Sequence, residues 1–180
     1  MSEFAQEAER IKENIFKEKI RILIWGPGKP KSNASLYKQR AYNKRVQIKR
    51  VLRKKFRNGE VYFSEDKKMK GIAKEITGKL EKEAFQAKIA DLILVLAISR
   101  GANLELDHFI PTYPWFREKV RILLPKKYIK SQGLASSIYE FLRPNQIEGF
   151  TTQEFNRCKL ATEKAVRIAK EAVILISLRR

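Results

Sequence analysis

Leu92–Ile98 is an unbroken apolar run, opened by Asp91 and closed by Ser99-Arg100-Gly101. It is far shorter than the roughly 20 residues that a membrane-spanning helix needs. With no polar alternation, both faces of the segment must be buried. A central strand of a parallel sheet, covered by helices on each side, meets that condition. The neighbouring segments supply such helices. Thr77–Ala90 carries Leu80, Ala84, Ala87 and Ile89 at helical spacing, and Ala102–Phe109 continues with the same period. The run therefore reads as one strand in a βαβ series, and its carboxyl end is where open α/β sheets keep their ligand crevices.

The rest of the chain repeats the alternation. Residues 2–18 have an amphipathic helix pattern with Phe4, Ala8, Ile11 and Ile15 on one stripe. Ile20–Trp25 is a β-rich strand closed by Gly26-Pro27-Gly28. A helix is expected from Ser35, its N-cap, to about Arg57, with Tyr37, Ala41, Ile48, Val51, Leu52 and Phe56 inward and its basic residues on the remaining faces. Val61–Phe63 is a second short strand, followed by Ser64-Glu65-Asp66 and a Lys-rich connection. Pro111–Trp115 reads as a loop and Lys119–Leu124 as a fourth strand stopped by Pro125. A helix over about Leu134–Leu142 leads to the strand Ile147–Phe150. Thr151 or Thr152 then caps a long helix, about 152–177, whose last turns (AVILISL) also fit a sixth strand, although the 3.6-residue spacing continues through them.

Strands alternating with helices predict an α/β fold: a flavodoxin-like three-layer sandwich with a parallel sheet of about five strands, in the order 2-1-3-4-5. At 180 residues and 21.0 kDa, residues 1–180 fit a single domain. Cys158 is the only cysteine and His108 the only histidine, so disulfide frameworks, structural zinc and Cys/His metal clusters are excluded, and no metal is expected. No apolar run is long enough for a membrane span, and the amino terminus lacks the pattern of a signal peptide, so the expectation is a cytoplasmic protein with no membrane partner.

The formal net charge is +19. Between Lys29 and Arg57 there are twelve Lys or Arg and no Asp or Glu. Such a stretch is either a solvated face or an anion-binding surface.

The candidate site lies along one sheet edge. Gly26 and Gly28, with Lys29 and Lys31 nearby, form a glycine-containing turn into a helix. This is either a phosphate cradle or a tight βα turn that needs glycine for its geometry. Tyr37 and Arg40 open the basic helix, where they are placed to stack on a base and neutralise phosphate, unless Tyr37 is a core-edge residue. Ser64, Glu65 and Asp66 follow strand two as candidates for ribose hydroxyls, or as partners of Lys67, Lys68 and Lys70. Glu105 is expected on the first turn of the helix after strand three. It reads either as a solvated residue complementing the helix dipole or as a carboxylate for chemistry at a sugar's anomeric carbon. Trp115 reads as a lid over the crevice or as a partner-binding aromatic. Asp91 more simply caps the start of strand three.

Taken together, ILIWGPG, VYFSED, EKEAFQAKIADLILVLAIS and the turn SRGANLEL resemble Toll/interleukin-1 receptor (TIR) domains and the related nucleoside deoxyribosyltransferase-like and SLOG-type nucleotide-binding folds. The resemblance spans about Ile20–Phe150. It implies a nucleotide N-glycosidase, NAD-cleaving, in which Glu105 attacks or stabilises the ribosyl C1′ and Ser99 is its neighbour. NAD would be substrate, not cofactor. Self-association into a homo-oligomer would switch activity on, and antiviral defence is the implied setting. The alternative from the residues themselves is a non-catalytic Rossmann-like module whose basic helix, Lys38–Arg57, docks on nucleic acid or senses a nucleotide signal.

Overall fold

The computed structural model describes residues 19–129, 140–156 and 160–177, together with Gln6 and Arg10. The helix expected over 2–18 lies outside the described residues, except that Gln6 and Arg10 are helical. The helix expected over 134–142 likewise lies outside them up to residue 139, while Glu140 and Phe141 are helical.

The element series is β1 (Arg21–Trp25), α1 (Leu36–Lys55), β2 (Glu60–Phe63), α2 (Lys67–Ile72), α3 (Lys79–Ile89), β3 (Leu92–Leu96), α4 (Arg100–Thr112), α5 (Pro114–Lys119), β4 (Val120–Pro125), α6 (Lys126–Ile129), β5 (Ile147–Phe150), α7 (Thr152–Asn156) and α8 (Leu160–Ser177). The five strands form one sheet in the order β2-β1-β3-β4-β5, and every pairing is parallel. Ile22, Leu23, Ile24 and Trp25 stand beside Leu92, Ile93, Leu94 and Val95, so β1 and β3 are neighbours at the point where the strand order reverses.

Strand residues alternate between two cores. Ile22, Ile24, Leu92, Leu94 and Leu96 face Ile48, Leu52 and Phe56 of α1 and Ala165, Ile168, Ala169 and Ala172 of α8. Leu23, Trp25, Ile93 and Val95 face Ala87 of α3, Leu106 and Phe109 of α4, and Phe116 of α5. All five residues of β3 are buried, as a strand covered on both faces requires. The final segment is helical through Ser177 and not a sixth strand.

Three local expectations are corrected. The Lys-rich connection contains α2, anchored by buried Met69. Pro111 lies in the last turn of α4, where Arg117 donates to the Ile110 and Pro111 carbonyls, and Pro114 opens α5 at its first turn, where no N–H is needed. The third correction concerns α1. Its basic residues are not all on outer faces: Lys44, Arg45 and Lys49 are buried, and Arg45 is only 2% exposed.

Candidate active site

Gly26 closes β1 with φ +148, a conformation that L side chains rarely adopt. A Cβ there would stand 3.1 Å from Leu96 Cβ and 3.2 Å from its carbonyl oxygen, so glycine is required by the turn itself. Gly28 faces open space and carries no such constraint. Lys29 is exposed. The tight-turn reading of this loop therefore holds at Gly26.

Arg45 reaches from α1 beneath this loop. Its guanidinium donates to the carbonyls of Ile24 (2.7 Å) and Pro27 (3.1 Å) and forks onto Glu65 (2.6 and 2.9 Å), while stacking 4.1 Å from the centroid of Phe63. The planar fork suits two carboxylate oxygens at once, and two carbonyls take the other donors of the two terminal nitrogens. Ser64 donates to Glu65 as well (3.3 Å). Asp66, in contrast, accepts from Lys49 and from the Phe63 N–H, closing the turn after β2. Its role is structural. The partners of Glu65 and Asp66 are thus Arg45 and Lys49, not the neighbouring Lys67, Lys68 and Lys70; Lys68 pairs with Glu60.

Glu105 projects from α4 into the same edge. Ser99 is the N-cap of that helix, accepting from the Ala102 N–H at 3.3 Å. Helical structure begins at Arg100, so Glu105 lies on the second turn and not the first, beyond the reach of the dipole effect expected for it. Burial and the adjacent Glu83 charge raise its pKa to about 7, with a side-chain hydrogen bond to Glu83. Burial also raises Glu83, while Lys79, 3.6 Å from Glu83 and 4.0 Å from Glu105, opposes the rise. The positive charge of Arg45 is felt at Glu105 too. Two acids thus face each other, and Glu105 keeps its proton up to about pH 7.

Polar groups around this crevice remain unused. Arg45 Nε, Glu83 Oε2 and Gln86 Oε1 are buried and make no hydrogen bond among the described residues, although Gln86 donates to the Ser64 and Met69 carbonyls. Buried polar atoms are ordinarily satisfied, so these three set this edge of the sheet apart from the apolar core around it.

The structure brings together Gly26, Ser64, Glu65, Ser99 and Glu105. Tyr37 and Arg40 lie elsewhere. Both are exposed on α1, which covers the opposite face of the sheet from α4, and Tyr37 is 6.4 Å from Phe155. Trp115 packs against Tyr113, Phe116 and Lys119. Lys119 bonds the Lys88 and Ala90 carbonyls before β3, so Trp115 belongs to the amino edge of the sheet and is no lid for this crevice. Asp91 accepts from the Arg21 N–H at 2.8 Å, tying the starts of β1 and β3.

Sequence reasoning placed Glu83 beside Asp91 on the helix before strand three without giving it a role, and missed Lys79 and Arg45. A Lys-x-x-x-Glu pair on α3 and an arginine inside a basic run carry no local mark of where they will point. Among the described residues no group of three or more His, Cys, Asp or Glu is suited to a metal, and no helix is long and apolar enough to cross a membrane. No known family model matches the chain, and no curated protein matches its sequence.

Proposed function

We propose that this protein cleaves the N-glycosidic bond of a nucleotide, with NAD the first substrate to test, in the crevice between the ends of β1 and β3. The observation that carries the reading is the meeting of Glu83 and Glu105, both within reach of Lys79 (3.6 and 4.0 Å), on the helices that precede and follow β3. Burial and the like charge of Glu83 keep the proton on Glu105 up to about pH 7, and above that pH Glu105 is the carboxylate that glycoside chemistry uses.

In the proposed reaction, the C1′–N bond breaks and its electron pair leaves with the base. The ionised Glu105 carboxylate stabilises the positive ribosyl C1′. Water then adds through oxygen, and its proton passes to the carboxylate pair. Arg45 and the Gly26 turn hold the crevice in shape, and the positive charge of Lys79 favours ionisation of both acids.

The test is chromatography of NAD, and of adenine and guanine nucleotides, after incubation with the protein at high concentration. Base release is expected, rising as pH climbs through about 7 as Glu105 ionises. Glu105→Gln is expected to abolish release while the fold persists. Glu83→Gln removes the like charge that raises Glu105, so the rise should move to lower pH. Unchanged turnover in Glu105→Gln would overturn the assignment.

A further inference from the structure

We propose that a second site, a groove between α1 and α7, binds single-stranded nucleic acid. The groove has two joined lobes, of about 580 Å³ and about 310 Å³, which share Arg40, Phe155 and Asn156. Its α1 wall consists of Arg40, Asn43, Lys44 and Gln47. These are the i, i+3, i+4 and i+7 positions of one helix face, and they run about 10 Å along the axis. Arg40 and Asn43 are exposed, Gln47 is half-buried and Lys44 is buried, and every member is a hydrogen-bonding side chain.

The aromatic complement comes from three elements. Phe155 is buried in α7 and stacked on Phe150 at 5.3 Å, so its position is fixed. Tyr37 and Tyr128, in the second lobe, are 56% and 45% exposed, with Lys127 Nζ 4.9 Å from the Tyr128 ring. Lys44 is buried, with its Nζ 5.8 Å from the Phe155 ring, and Lys127 stands at the mouth of the second lobe. No acidic residue lines either lobe among the described residues, and α1 itself contains no Asp or Glu.

A cationic groove with interleaved rings matches a sugar–phosphate backbone whose bases are free to stack. A duplex hides those base faces. The groove shares its positive sign with the whole chain, whose net charge is +19, so polyanions are drawn to it. The groove lies across the sheet from Glu105, and the inference stands without the glycosidase reading.

Fluorescence anisotropy of the full chain with a labelled single strand of about a dozen nucleotides, as DNA and as RNA, and with the matching duplex, tests it. Either single strand is expected to bind more tightly than the duplex, and the DNA and RNA arms show whether the 2′-hydroxyl contributes. Tyr37→Ala is expected to weaken binding by about ten-fold, whereas Tyr37→Phe retains it. Arg40→Ala with Lys127→Ala should flatten the salt dependence, since each phosphate contact adds about 0.7 to its slope for single strands. Lys70→Ala with Lys74→Ala makes the same charge change beyond β2, at the other edge of the sheet, and should leave binding unaltered. Duplex bound as tightly as single strand, equal losses from the two charge pairs, or no binding at about 50 mM salt would overturn the proposal.

Discussion

Glu105 holds its proton more tightly in the folded protein than a carboxyl does in an open chain, because burial and the Glu83 charge both oppose ionisation. An unfolded glutamate titrates near 4.3. Between that value and about 7 the folded state therefore binds more protons than the unfolded one, and stability is lost as pH rises through this window. Glu105→Gln removes the titration. It is expected to stabilise the protein by about 1–2 kcal/mol at pH 8, after discounting for the solvent that still reaches the side chain, with the gain gone by about pH 4, below the unfolded value. Urea unfolding at the two pH values measures this; an equal effect at both would mean that the carboxyl ionises freely. A residue that weakens the fold near neutrality breaks a local rule, as residues kept for function do.

At the scale of elements, the turn after β1 separates two glycines that look alike in sequence. Gly26 has φ +148 and Leu96 against its missing Cβ, while Gly28 faces open space. Gly26→Ala is expected to cost about 1–3 kcal/mol and Gly28→Ala less than about 0.5 kcal/mol, read from denaturant midpoints. Similar costs would mean that the turn relaxes around either methyl. α1 teaches a related lesson. Its cap at Ser35 and its end near Lys55 were legible, because a cap residue and apolar spacing are local marks. Its rotation was not, since burial of Arg45 and Lys49 depends on Glu65 and Asp66 at the end of another strand. The run of twelve cations thus divides into internal counter-charges and an outer field.

For the whole molecule, 39 basic side chains against 20 acidic ones leave a folded state that repels itself. Dissolved salt screens exposed charges over about 8–10 Å at physiological strength, while the Arg45–Glu65 and Lys49–Asp66 pairs, built on buried or nearly buried cations, are screened less. The melting temperature is therefore expected to rise as sodium chloride is raised from about 20 mM to about 300 mM. Differential scanning calorimetry checks it. A fall would show that surface ion pairs outweigh net repulsion. The described residues also show how the sheet organises both proposals: α3 and α4 on one face meet at the crevice, and α1 and α7 on the other form the groove.

Taken alone, the sequence determined the α/β class, the five strands and the position of an acid just beyond the end of the buried β3. These are read from periodicity and turn residues, which act within a few positions of each other. Tertiary structure decided the neighbours: Glu83 against Glu105, Arg45 beneath the Gly26 turn, and Tyr37 and Arg40 turned toward Phe155 instead of the crevice. Those meetings follow from how each helix rotates on the sheet. That rotation is set by the packing of all layers together, and no short stretch of chain contains it.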